Sequence, residues 1–528
     1  MSLISMEFLL FLLAAAAGYY WIPKKGQWIW LLVFSYGFYL ASGVKVLFFL
    51  LTTTVTTFGT GLFLEKEDLR LKRLLKPETG SVTAVTPEEK RTYKDKSKCR
   101  KRWILAGALV LNFGILAALK YCNFAIDNWN ALFGTDYSHV NVLLPLGISF
   151  YTFQSMGYLI DVYRKKYAPE HNLFRFALFV SYFPQLLQGP IGRFDRLAHQ
   201  FFEVHTFDLT RIERGLQLML WGYFKKMVLA DRAAVLVNQV FQNYEEYAGI
   251  PVMAAVLGYS IQLYADFSGG MDVVMGASEC FGISLDQNFR QPYFARSISD
   301  FWHRWHITLG TWMKDYIFYP LSLSKGMNRL GKFTKKHCGK HVGRVLPVCI
   351  SNLAVFFVVG VWHGAAWKYI AYGLYNGFLI AFSNLAAPLY QKALKALPIR
   401  TNGKPWILFQ IVRTFLLVNI GWYFDMGLSF TAALIMMKRT VTGCSLSALT
   451  DGSLLNLGLS LADYAVLLLG SAAVFGVSLL KEHKVSVRES LAAKPLAVRW
   501  AVYLLLMASI PLLGQVTATG GGFIYAQF

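Results

Sequence analysis

The chain has 528 residues, 55% of them hydrophobic and 16% charged, with a formal net charge of +22 and a mean hydropathy of +0.41. That balance lies beyond ordinary soluble usage and excludes a soluble globular protein. The charge does not point to a nucleic-acid partner, because Lys and Arg sit in short loops between apolar runs, the pattern of positive-inside bias.

Apolar runs recur at 6–22, 27–42, 46–64, 104–125, 141–160, 174–189, 214–237, 250–264, 345–361, 368–385, 405–425, 463–480 and 499–514. Several approach the ~20 residues that cross a bilayer as helix. Others are shorter or broken by Gly and Pro and suit re-entrant or interfacial positions. The pattern predicts an all-α polytopic integral membrane protein with about eleven transmembrane helices. No internal repeat, low-complexity linker or sizeable soluble segment divides it, so a single membrane-embedded domain over 1–528 is expected.

Charge bias sets the expected orientation in the cell membrane. No basic residue precedes the first run and Lys24 and Lys25 follow it, which places the N-terminus outside and marks an anchor start rather than a cleaved leader. The polar stretch 65–103, with RLKR at 70–73 and KCRKR at 98–102, is then cytoplasmic. So are RKK at 164–166, the run from Lys325 to Arg344 and the segment from Lys481 to Arg499, leaving the C-terminal FIYAQF outside. The six cysteines form no CxxC pair, and Cys99 and Cys338 fall in loops on the reducing side, so no structural disulfide is expected.

Polar residues inside or beside the bilayer are expensive, so two stretches draw notice. FWHRWHITLGTWMKDYIFYP, 301–320, carries Trp302, Trp305, Leu309, Trp312, Tyr316 and Tyr319 at three- and four-residue steps, one aromatic stripe if helical. Asp300 and Arg304 are spaced to pair, as are Thr311 and Asp315, and His303 and His306 share another flank. The plainer reading is an interfacial helix with its rings at headgroup level and its cations snorkelling to water, which leaves His306 unexplained. The HxxH pair brings no further ligand set and no HExxH, so no metal is expected. In VVGVWHGAAWKYIAYGLYNG, 358–377, His363 stands among Gly360, Gly364, Ala365 and Ala366, where a ligand or another backbone can approach closely. A satisfied core histidine is the plainer reading there. A neutral imidazole carried deep into the membrane by the preceding helix is also suited to take a proton from a hydroxyl.

SISDFWHRWHITLGTWMKDYIFYPL followed by GVWHGAAWKYIAYGLYNG resembles the paired signature of the membrane-bound O-acyltransferase family, and the 57-residue spacing of His306 and His363 suits its bacterial alginate O-acetyltransferase branch. LPLGISFYTFQSMGYLIDVYR at 144–164, FPQLLQGPIGRF at 183–194 and YADFSGGMDVVMGASECFGISLDQNFRQPY at 264–293 extend the resemblance. The family-like core then runs from about 140 to 385, with N-terminal helices in 1–139 and extra C-terminal helices in 386–528. The resemblance implies that His363 is the catalytic histidine and His306 the second polar position. It places Trp305 and Asp315 in the same signature, with Arg304, Trp362 and Asn376 as further substrate-binding or oxyanion candidates. His303 is the weaker of its pair, and His199 and His205 match nothing.

The implied reaction moves an acyl group, an acetyl group on this branch, from a cytoplasmic thioester donor, acetyl-CoA or an acyl carrier protein, to a hydroxyl across the membrane. No bound cofactor is implied. The acceptor is a cell-surface polysaccharide or the hydroxyl of a separate extracytoplasmic esterase-like partner. No GxSxG elbow is present for a self-sufficient serine acyl-enzyme. Two alternatives stand: the teichoic-acid D-alanyltransferase branch, whose members tend to be shorter, and a glycan or small-molecule transporter subunit, a class that often shows an internal repeat.

Overall fold

The computed structural model describes residues 2–75, 85–396 and 400–515. The C-terminal FIYAQF and part of the polar stretch 65–103 lie outside the described residues. Every regular element among the described residues is helical. The chain divides into two compact units, Ser5–Leu209 with Ser278–Leu285, and Ser2–Ile4 with Thr210–Ala277 and the chain from Asp286 onward.

In the first unit the Val44–Leu75 helix packs against Pro87–Phe133, Ile148–Tyr163 and Leu173–Ser181. The long Pro87–Phe133 helix starts at a capping box, Thr86 with Glu89, has Pro87 in its first turn, and stops where Gly134 takes φ 65°. Lys101 Nζ pairs with Asp68 2.7 Å away, tying its polar end to Val44–Leu75. Ile148–Tyr163 is buried on nearly every side, so its apolar character serves protein packing rather than lipid contact. His205 is satisfied by the Gln200 carbonyl at 2.8 Å, whereas His199 pairs with Glu203 at the surface.

In the second unit Leu209–Tyr223 passes through a π-helical turn, Phe224–Ala230, into Asp231–Gln242. Against it lies Ile250–Cys280, and the two approach so closely that a Cβ on Gly222 would sit 2.5 Å from the Gly269 carbonyl oxygen. The π turn carries two buried lysines. Lys225 pairs with Asp272 at 2.8 Å, and Lys226 lies between Asp231 and Asp266 at 2.8 and 2.7 Å. Charges this deep persist because each has an opposite partner.

Among the described residues seven helices are long and apolar enough to cross a membrane, or eight if Trp367–Leu385 and Ala387–Ala396, bent by 57°, form one span. That is fewer than the eleven expected, for local reasons. The run 174–189 breaks at Tyr182, and the helix that follows carries Pro184 in its first turn, leaving two short helices. The run 214–237 contains the paired lysines, and 6–22 and 27–42 give helices of only 16 and 14 residues. The Lys325–His363 element is itself two helices joined at Gly339, which has φ 87° and ψ 169°. Its first arm folds back so that a Cβ on Gly343 would meet the Lys335 backbone at 2.6 Å.

Candidate active site

His306 is placed by a break that the helical stripe does not anticipate. Ser297 Oγ accepts from the Asp300 N–H and starts a helix, Ile298–Arg304, which ends at Trp305. The extended chain before it then takes over the backbone bonds: Arg290 N–H donates to the Arg304 carbonyl at 2.9 Å and Ile307 N–H to the Asn288 carbonyl at 3.0 Å. Between these, His306 adopts φ 45° and ψ 53°, the left-handed region that non-glycine residues rarely enter, before a second short helix, Ile307–Met313. Such strain gathers at functional sites. The break also separates the two histidines that a continuous helix would align. His306 is 1% exposed, whereas His303 stays at the surface with Nδ1 at 2.6 Å from the Ser299 carbonyl.

Asn288 holds the His306 ring. Its Oδ1 accepts from Thr308 N–H at 3.0 Å and Thr308 Oγ1–H at 2.9 Å. Both amide atoms lie near His306 Nδ1, Nδ2 at 3.1 Å and Oδ1 at 3.2 Å. With Oδ1 committed to two donors, Nδ2 donates to His306 Nδ1, which puts the imidazole proton on Nε2 by inference from the network. Phe267 meets the same ring edge-on, centroids 4.8 Å apart.

His363 ends its helix, and the chain returns at once as Trp367–Leu385. The return is tight because Gly360 and Gly373 face each other: a Cβ on Gly373 would lie 2.2 Å from the Phe356 carbonyl oxygen. The small residues around His363 therefore admit a neighbouring backbone. His363 Nδ1 faces Asp425 Oδ1 at 3.5 Å, and Asp425 Oδ2 accepts from the Tyr259 hydroxyl at 2.7 Å. Lys368 Nζ donates to the Asp425 backbone carbonyl at 3.2 Å. His363 and Asp425 are both almost fully buried.

Trp362 contacts both imidazoles, its ring centroid 5.7 Å from that of His306 and 5.2 Å from that of His363. Tyr372 meets His363 edge-on at 5.2 Å and stacks on Trp422, which in turn contacts Trp305. A cavity of about 440 Å³ is lined by His306 and by the helix face from Asn352 to Val359, about 10 Å of helix, and also by Lys314 and Asp315. His363 lies one turn beyond Val359 and does not line this cavity.

Of the remaining candidates, Trp305 belongs to the buried aromatic wall, stacked on Phe301 at 5.5 Å. Arg304 pairs with Asp300 at 2.9 Å, as the spacing suggested, and with Glu482 at 2.8 Å, away from both histidines. Asn376 Oδ1 accepts from the Trp302 indole at 3.1 Å, one layer behind the cavity. Thr311 Oγ1 donates to the Ile307 carbonyl. Asp425, Tyr259 and Asn288 escaped the reading of the sequence. For Asp425 a signal existed, since it is the sole acid in the apolar Lys404–Met426 helix. Among the described residues no group of three or more His, Cys, Asp or Glu is placed to hold a metal ion.

Comparison with known proteins bears on this geometry. The model of the membrane-bound O-acyltransferase family matches residues 168–335 and 337–424, which include His306 and His363. A probable alginate O-acetylase of Pseudomonas putida is 37% identical over 333 residues, 62% of this chain and 62% of that protein. A peptidoglycan O-acetyltransferase of Helicobacter pylori is 31% identical over 368 residues, 65% of each. A teichoic acid D-alanyltransferase of Bacillus subtilis is 30% identical over 297 residues, 55% of this chain and 70% of that protein. The chain thus matches less than two thirds of the length of the alginate and peptidoglycan relatives.

Proposed function

This chain belongs to the membrane-bound O-acyltransferase family, and from that premise we propose that it transfers an acyl group, specifically acetyl, from a cytoplasmic thioester to a hydroxyl of a cell-surface polysaccharide or of a partner protein. The observation that carries the reading is the buried row Tyr259, Asp425 and His363, in which Asp425 faces His363 Nδ1 at 3.5 Å. A carboxylate there favours the tautomer with the proton on Nδ1, so Nε2 is the basic nitrogen. That nitrogen takes the acceptor's proton as the hydroxyl oxygen bonds to the acyl carbon. The tetrahedral intermediate then collapses, the C–S bond breaks, and the proton passes to the departing thiolate. His306, protonated on Nε2 through Asn288, is the donor for the oxyanion.

The cavity that ends at His306 is the route for the thioester arm, and the basic run from Lys325 to Arg344 attracts the phosphates of coenzyme A or an acidic carrier protein. The charge bias, with both termini outside, puts donor and acceptor on opposite faces. An acetyl group rather than D-alanine follows the names and the higher identity of the O-acetylating relatives. A separate extracytoplasmic esterase-like protein is the alternative immediate acceptor.

The test is polymer ester content in cells carrying the wild-type gene, His363→Ala or His306→Ala. Loss of ester with the protein still in the membrane is expected for His363→Ala, and a strong reduction for His306→Ala. Normal acylation in the first overturns the base assignment, and wild-type turnover in the second reduces His306 to packing. Unchanged ester alongside lost export of an intact glycan would instead indicate a transporter.

A further inference from the structure

Two cavities of the second unit lie against Leu461–Glu482, a helix beyond the family match, and neither is the one that reaches His306. The first, about 450 Å³, has three cations in its lining, Lys225, Lys481 and Arg488, against one carboxylate, Asp272. Asp272 is 2.8 Å from Lys225 and balances it, so the lining is net positive. Arg488 is anchored by donating to the Arg214 carbonyl at 3.2 Å. Lys481 lies in the last turn of the apolar Leu461–Glu482 helix, where a span meets the membrane surface. The second cavity, about 520 Å³, is apolar and lies between Lys404–Met426 and Leu461–Glu482, with Leu408, Val412 and Phe475 in its walls. Tyr264, Gln291, Val474 and Ser478 line both. A cationic recess at an interface therefore adjoins an apolar slot within the span.

We propose that this pair of cavities binds an anionic phospholipid, its headgroup phosphate at Lys481 and Arg488 and one acyl chain in the apolar slot. A basic pocket between spanning helices on the cytoplasmic side selects acidic headgroups by charge. The adjoining slot selects a lipid over a water-soluble phosphate, since only a chain gains from leaving water there. The proposal is independent of the acyl-transfer reading, because it concerns binding alone. The first cavity also has Asn288 in its wall, so the bound lipid would rest against the segment that seats His306.

The experiment purifies the full chain from micelles containing equal amounts of phosphatidylglycerol and phosphatidylcholine and quantifies the lipid retained. Phosphatidylglycerol is expected to be enriched, with the enrichment falling about fivefold for each of Lys481→Gln and Arg488→Gln. Val412→Trp, which fills the slot without touching a charge, should release the retained lipid. Equal retention of the two lipids by the wild type overturns the proposal, as does undiminished enrichment in monodisperse single variants. Displacement of the lipid by inorganic phosphate or coenzyme A would also overturn it, assigning the recess to a soluble anion.

Discussion

Replacing Asp425 by Asn is the sharpest probe of the proposed base, because it removes one charge and almost no volume. At 3.5 Å a carboxylate and an imidazolium in a medium of effective dielectric about 20 attract by about 4.7 kcal/mol. With the proton half transferred about half of that is felt, about 2.4 kcal/mol, or roughly 60-fold in rate. A second effect acts in the same direction. The Asn amide keeps the bond from the Tyr259 hydroxyl by presenting its oxygen there, so its NH₂ faces His363 Nδ1 and donates to it. The imidazole proton is then held on Nε2, and the nitrogen that should accept the substrate proton is blocked. The loss should therefore be at least 60-fold in turnover, by an estimate on the order of the charge effect alone. The assay is acyl transfer from a thioester donor in proteoliposomes, with thermal melting as a control for folding. Asp425→Glu should recover part of the rate, which a purely structural role would not give. Wild-type turnover in Asp425→Asn, with His363→Ala inactive, would refute the role of the carboxylate.

Asn288→Ala removes the acceptor of the Thr308 N–H and hydroxyl and the group that orients His306, so a loss of about 1–3 kcal/mol of stability is expected together with reduced turnover, measured by melting and by transfer assay. Gly373→Ala drives a methyl group into the Phe356 carbonyl and forces the hairpin that carries His363 apart, at a cost of about 1–3 kcal/mol visible as a lowered melting temperature and slower transfer. Lys226→Met removes the cation shared by Asp231 and Asp266, with an expected cost of about 3–5 kcal/mol that shows as loss of monodisperse protein. Replacing both aspartates by Asn in the same chain should restore it.

Individual residues show where the sequence was informative. The pairing of Asp300 with Arg304 follows from helical spacing, since both stand on one short helix whose geometry is local. The same spacing argument fails two residues later. His306 leaves the helix because Arg290 N–H and the Asn288 carbonyl bond to residues 304 and 307, partners no helical period can announce. The described helices give seven or eight candidate spans rather than confirming eleven, for a related reason. Ile148–Tyr163 has long apolar and aromatic stretches, but it is buried by its neighbours within the protein, a surrounding that hydropathy does not distinguish from lipid.

Composition, charge placement and the two histidine motifs were enough to establish an all-helical membrane protein and its family, because each is a property of single residues or short segments. What brought Asp425 and Tyr259 to His363 was the packing of three separate helices, and what brought Asn288 to His306 was the pairing of an extended segment with a helix break. Asp425 is 62 residues from its histidine and Tyr259 another 104 in the opposite direction. Contacts across such separations are set by which helix faces fit together, through close approaches such as Gly360 on Gly373, and that information exists only once the chain is folded.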